Sequence, residues 1–257
     1  MLSLSKVCAG YDGKKVLHDI TFTLPEGENL CILGPNGCGK TTLLRSIAKL
    51  IPFSGNITID GSDTKMMKRR EIASRIAVMS QISSVYYSYT VYETVLLGRY
   101  QHMKKSFFGT PSSKDKSVVE ECLKTTGLLE LSTKPIDELS GGQLQRVFLA
   151  HTLAQEPEMI LLDEPTNHLD MKNQVELITY LNEWSKKEKH TVIGVFHDIN
   201  LAMRLSGQLL FLKEGRIAGL GRAEDLIQPQ FLYDIYNMDV VSFMVESFEK
   251  WNHFNHN

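Results

Sequence analysis

The chain has 257 residues, with 28 Lys and Arg against 30 Asp and Glu for a formal net charge of −2, and it is 42% hydrophobic and 23% charged. This apolar content and near-neutral balance exclude a disordered chain. They also lack the electrostatic footprint of a nucleic-acid binder, and leave open only a local phosphate site. No apolar run approaches the ~18 residues of a membrane span. The stretch Met1–Lys6 lacks the charged-then-apolar order of a signal peptide. Cys8, Cys31, Cys38 and Cys122 have neither metal-ligand spacing nor disulfide-framework density. The expectation is a cytosolic globular protein with reduced thiols.

In chain order, Leu2–Val7 and Ile20–Leu24 alternate apolar and polar residues, the period of strands with one wet face. Asp12-Gly13 and Pro25-Glu26-Gly27 are turn signals. The apolar run Asn29–Leu33 stops at Gly34 and suits a buried parallel strand. Lys40–Leu50 then reads as a helix with Leu43, Leu44, Ile47 and Leu50 on one side. Gly55–Gly61 is a strand between glycines. Lys65, Lys68, Arg69, Arg70 and Arg75 mark 64–75 as a solvated helix face. Residues 82–139 join a Tyr-rich stretch, a polar loop near Phe107–Lys116 and a helical stretch around Val118–Leu129. From residue 140 helix and strand alternate: Gly141–Gln155 helical, Met159–Leu162 a buried strand, a helix marked by Val175, Ile178, Leu181 and Trp184, then strand Thr191–Phe196 and short helix Ile199–Ser206. Leu209–Leu212 and Ile217–Leu220 flank Glu214-Gly215, a hairpin signal. The tail from Ser247 is expected to fray. The pattern is α/β, with early antiparallel strands and a mostly helical insertion.

Gly34-Pro35-Asn36-Gly37-Cys38-Gly39-Lys40-Thr41 fits G-x-x-x-x-G-K-[ST] at every fixed position, after a predicted buried strand and before a helix. Its glycines let successive N–H groups face inward, and with the helix N-terminus they form an anion cradle. Lys40 would reach the β- and γ-phosphates, Thr41 would place its hydroxyl on Mg²⁺, and Thr42 could contact an inner phosphate. Much later, Met159–Leu162 is followed by two acids. Asp163, at the strand end, can hold Mg²⁺ through its water shell. Glu164, one residue on, points elsewhere and can polarise the attacking water.

Leu139-Ser140-Gly141-Gly142-Gln143-Leu144-Gln145-Arg146 narrows the choice among phosphate-loop proteins. With it the chain resembles the nucleotide-binding subunits of ATP-binding cassette (ABC) transporters, from about residue 2 to about 245. Ser140 can act as N-cap with Gln143 at capping-box spacing, which aims a helix N-terminus outward at an anion. The resemblance implies a single ATPase domain over 1–245, in which 1–81 and 140–245 make a P-loop core with an antiparallel β-subdomain, 82–139 is an inserted helical subdomain and 246–257 a tail. It implies that Tyr11 stacks on adenine and that Gln81 touches Mg²⁺ and senses the γ-phosphate, although Ser80 replaces the family's usual Pro. It further implies that Asn167-His168-Leu169-Asp170 crosses a dimer interface and that His197 contacts the γ-phosphate, although Phe196 replaces the usual Ser. The partners implied are a second copy, arranged head to tail with ATP between one phosphate loop and the other copy's Ser140–Gln143, a membrane permease, and a substrate-binding protein acting through it; no nucleic acid is involved. The chain would lie on the inner face of the cell membrane through the permease.

Thr90–Arg99, Glu164–Asp170, His197–Ala202 and Phe211–Ile217 resemble the importers of iron–siderophore, haem and vitamin B12. The competing class is a soluble non-transport cassette ATPase such as that of iron–sulfur cluster assembly, against which Pro165–His168 argues. Tyr86, Tyr87, Tyr89 and Tyr92 are read either as a half-buried strand or as a partner surface. Cys38 is either an unremarkable small loop residue or a thiol activated by the electropositive loop.

Overall fold

The computed structural model describes residues 1–79, 89–103, 110–167, 169–187 and 189–254, with 252–254 described by backbone alone. β1 (Leu2–Tyr11) and β2 (Lys14–Leu24) form the hairpin that Asp12-Gly13 predicts, both turn residues having positive φ. β3 (Leu30–Leu33) is buried throughout and delivers the chain to α1 (Lys40–Ile47). The helix stops before Leu50 because Lys49 takes a left-handed conformation at φ 52°. β4 (Phe53–Ile59) and β5 (Ser62–Asp63) follow. The basic segment is helical only over α2 (Arg69–Arg75). Lys49 Nζ holds the preceding residues in a turn, donating to the carbonyls of Thr64, Lys65 and Met67. β6 (Ile76–Met79) ends at the Tyr-rich segment.

The insertion is helical as expected, with α3 (Val91–Leu97), α4 (Tyr100–Met103) and α5 (Ser113–Thr125). Then come α6 (Gly141–Ala154), β7 (Met159–Asp163), α7 (Met171–Lys186), β8 (Thr191–Val195), α8 (Ile199–Leu205), β9 (Gln208–Lys213) and β10 (Arg216–Arg222). The chain closes with α9 (Ala223–Leu226), α10 (Pro229–Tyr236) and α11 (Val240–Phe254). The expected frayed tail is therefore helical through Phe254. Asp239 accepts from the Ser242 N–H in an N-cap contact, and Val240 is buried against the core, so the helix has both a start signal and an anchor.

Two sheets share one core. The first is antiparallel, in the order β2-β1-β4-β5. The second runs β10-β9-β3-β8-β7-β6, parallel except for the β9–β10 hairpin at its edge. Period-two alternation splits the parallel strands. Leu30, Ile32 and Leu161 face α1 and the antiparallel sheet, whereas Cys31, Leu33, Ile160 and Leu162 face α7, α8 and α10. α6 belongs to two clusters: Leu149 packs toward the sheet, and Val147, Ala150 and Ala154 pack on Val91, Val95, Val119 and Leu123 of the helical region.

One polar side chain ties the entry of β3 to three neighbours. Asn29 Nδ2 donates to Ser185 Oγ (3.0 Å) and the Leu205 carbonyl (3.1 Å), and its Oδ1 accepts from the Val192 N–H (2.9 Å). Asn29→Ala should lower the unfolding free energy by about 1–2 kcal/mol, the cost of stranding half-buried polar groups. Urea denaturation reads this, and an unchanged midpoint would deny the side chain that role.

Candidate functional site

The carboxyl ends of β3, β7 and β8 lie side by side, and each delivers one part of the site, the edge at which open parallel sheets bind ligands. After β3 comes the phosphate loop. Gly34 has φ 140°, and a Cβ there would stand 2.1 Å from the Leu212 carbonyl oxygen of β9. A glycine is therefore required before any ligand is considered. The loop's far side rests on the β9–β10 turn: the Gly215 N–H donates to the Cys38 carbonyl (3.1 Å), and the His18 N–H donates to the Gly215 carbonyl (2.8 Å). Gly215 has φ 72°, and a Cβ on it would meet the Val16 carbonyl oxygen at 1.9 Å.

Gly37 and Gly39 also have positive φ, and Gly39 is the N-cap of α1. Asn36 and Gly37 form the exposed crest of the loop. Lys40, 5% exposed, folds back so that Nζ donates to the Gly34 (2.8 Å) and Pro35 (2.9 Å) carbonyls. Thr42 is buried beneath the loop, and Thr41 points outward to the end of β7. Burial raises the Cys38 thiol above its ordinary range, and Lys40 opposes this only in part. Burial thereby favours the reading of Cys38 as an unremarkable small loop residue, because desolvation of the thiolate opposes the nearby ammonium.

β7 ends on Asp163, whose Oδ1 accepts from Thr41 Oγ1 at 2.9 Å. Burial raises this carboxyl above the usual range while the Thr41 hydroxyl pulls it down. A carboxyl group and a hydroxyl meeting at the mouth of an anion cradle form an all-oxygen donor set that suits a hard divalent cation such as Mg²⁺. Glu164 leaves the strand in a left-handed conformation, φ 52°, which turns its side chain away from that of Asp163. Its two oxygens have separate partners: Asn167 Nδ2 donates to Oε2 (2.6 Å), and His197 Nε2 lies 2.7 Å from Oε1. His197 follows β8, so the carboxylate is held between the ends of two adjacent strands.

The remaining predicted residues form a second group. Ser140 caps α6: its Oγ accepts from the Gln143 N–H and its N–H donates to Gln143 Oε1, the predicted capping box. Ser140 and Gly141 are exposed at the helix N-terminus, and Gly142 abuts the Asn173 side chain of α7. Asp170 caps α7 by accepting from the Asn173 N–H (2.8 Å). Gln145 Nε2 donates to the Pro165 carbonyl (2.8 Å), which joins α6 to the loop after Glu164. Tyr11 ends β1 with 39% of its surface exposed, and its hydroxyl accepts from Arg45 (3.4 Å). Gln81, Tyr86, Tyr87 and His168 lie outside the described residues. Tyr89 is exposed. Tyr92 is partly buried and packs on the apolar cluster of the helical region.

Sequence reasoning missed Tyr236 of α10, whose phenol lies beside the Gly34 backbone and is pushed up to about 12 by burial. It also missed Gly215 as the loop's support and the Asn167–Glu164 contact. No local pattern marks any of the three.

The ABC transporter family model matches residues 17–167. The iron(3+)-hydroxamate import ATP-binding protein of Bacillus subtilis is 34% identical over 239 residues, 93% of this chain and 88% of that protein. The ferric enterobactin transport ATP-binding protein of Escherichia coli is 36% identical over 230 residues, 89% and 84% of the two chains. Among solved structures, a dimeric ATP-binding cassette in a post-hydrolysis state, bound to ADP and Pi, superposes with a TM-score of 0.74 at 29% identity, over 86% of this chain and 98% of that one.

Proposed function

The chain belongs to the ABC transporter family, and from that premise we propose that it is the ATP-hydrolysing subunit of an importer for an iron–siderophore, haem or cobalamin-type metal chelate. The observation that carries the ATPase reading is the set of contacts joining three strand ends: Thr41 to Asp163, and Glu164 to His197. The chelate class is supported by the two import proteins that match along most of this chain.

The loop amides and Lys40 bind the phosphates, and Tyr11 offers an exposed ring for the base. Thr41 and Asp163 would hold Mg²⁺, which when bound neutralises phosphate charge. Glu164 accepts the proton of the attacking water. His197 and Asn167 fix the plane of its carboxylate, so the base is oriented before substrate arrives. The exposed N-terminus of α6 has its capping box formed and its anion-binding end turned outward, which suits the γ-phosphate of ATP held by a second copy. The dimeric cassette bound to ADP and Pi supports this pairing.

No helix among the described residues is long and apolar enough to cross a membrane. Transport therefore calls for a separate permease. A cavity of about 210 Å³ between α2 and the helical region, lined by Ala73, Leu97, Tyr100 and His102, offers a seat for a cytoplasmic segment of that partner.

Deleting the gene should abolish uptake of radiolabelled ferric siderophore, haem or cobalamin, and the wild-type gene, but not a Glu164→Gln copy, should restore it. Undiminished uptake of all three cargoes would remove the importer reading while leaving ATP hydrolysis by the purified chain to stand.

A further inference from the structure

Arg99, between α3 and α4, heads the fully buried side chains in size among the described residues and is only 1% exposed. Its guanidinium reaches three acceptors on two parts of the molecule. Nε donates to Asp115 Oδ1 of α5 (3.0 Å), and Nη1 donates to the Ala154 carbonyl (2.7 Å) and to Glu156 Oε2 (2.7 Å). Asp115 is itself buried and cannot swing away, because its other oxygen accepts from the N–H and hydroxyl of Ser112 at the start of α5. Ala154 is the last residue of α6, and Glu156 lies in the left-handed turn (φ 50°) that feeds β7. Two weaker contacts hold the same end of α6: His151 Nδ1 lies 2.9 Å from the Thr94 carbonyl, and His102 Nε2 lies 3.2 Å from the Gln155 carbonyl.

A buried ion network of this kind is a poor way to gain stability, since apolar residues of similar volume often do as well or better. What a guanidinium adds is a rigid, permanently charged fork whose bonds have fixed directions. Here the fork sits where the helical region, the end of α6 and the entry to β7 meet. The opposite end of α6 carries Ser140–Gln143, and the opposite end of β7 carries Asp163 and Glu164.

We propose that Arg99 is a positioning residue: its contacts with Asp115, Ala154 and Glu156 fix the angle of α6 against β7, so that Ser140–Gln143 is presented correctly to ATP held by the second copy. This rests on the paired-subunit reading above. A packing role would be met equally by an apolar side chain, whereas a positioning role would not.

The test uses the full chain in the Glu164→Gln background, with three measurements: melting temperature, affinity of the dilute single subunit for a fluorescent ATP analogue, and the ATP concentration for half-maximal dimerisation by size-exclusion chromatography. Arg99→Met with Asp115→Leu should lower the first only by what the Ser112–Asp115 cap of α5 contributes, keep the second near the parent and raise the third by about tenfold or more, an ordinary size for coupling between sites. Glu156→Gln, which strips only the charge from the half-exposed arm, should shift it in the same direction by less, and Arg99→Lys should fall between parent and double variant. Should the double variant fail to fold, Glu156→Gln decides. Dimerisation at the parent's ATP concentration would overturn the inference, as would a parallel fall in single-subunit affinity. A Glu164→Gln parent that stays monomeric in ATP would instead overturn the paired-subunit reading, and this inference with it.

Discussion

Glu164→Gln should retain ATP affinity within about twofold while steady-state hydrolysis falls by about 10²–10⁴-fold, the usual worth of a positioned base. The amide has the same shape and can still accept from Asn167 through its oxygen. It cannot take a proton from water, and it turns an N–H₂ group toward the ring that the carboxylate faces at 2.7 Å. Nothing about the phosphate loop changes, so binding survives. The variant should therefore accumulate as an ATP-bound dimer, visible as a shift in elution volume on adding ATP. Hydrolysis at the wild-type rate would show that Glu164 is not the base.

Lys40→Met should weaken ATP binding by about 10²-fold, because the hydrogen bonds of a charged donor are worth roughly 1.5–3 kcal/mol each. The methionine nearly matches the buried stem, so the fold loses little volume. What disappears is the charge. In the structure it holds the Gly34 and Pro35 carbonyls, and on binding it would transfer to phosphate oxygens. Equilibrium titration with a fluorescent nucleotide, beside thermal unfolding of the same sample, separates the two effects. A variant that unfolds normally and binds ATP as tightly as wild type would remove Lys40 from the site.

The parts of the site visible in sequence are those encoded by neighbours along the chain. Gly34–Thr41 is contiguous, the runs before Gly34 and Asp163 are apolar because both faces of their sheet are covered, and Ser140 with Gln143 is a cap at helical spacing. The contacts that orient these parts are tertiary and leave no local trace. Asn167 on Glu164, Tyr236 on Gly34 and Arg99 between Asp115 and Glu156 each join residues that only the fold brings together. α11 was missed because aromatic residues among polar ones resemble a loose tail until Asp239 is seen capping it. Cys38 is ambiguous in sequence because the electropositive loop is visible there and the burial that opposes it is not.

The Glu214-Gly215 turn has a genetic consequence. By position it is a hairpin tip downstream of every nucleotide motif, the kind of place where substitutions are ordinarily silent. Yet it carries the Cys38 carbonyl on its N–H and leaves no room for a side chain against Val16. A missense allele at Gly215 thus belongs in the same phenotypic class as one in Gly34–Thr41, and a suppressor of it should be sought in β2, not among residues that touch ATP.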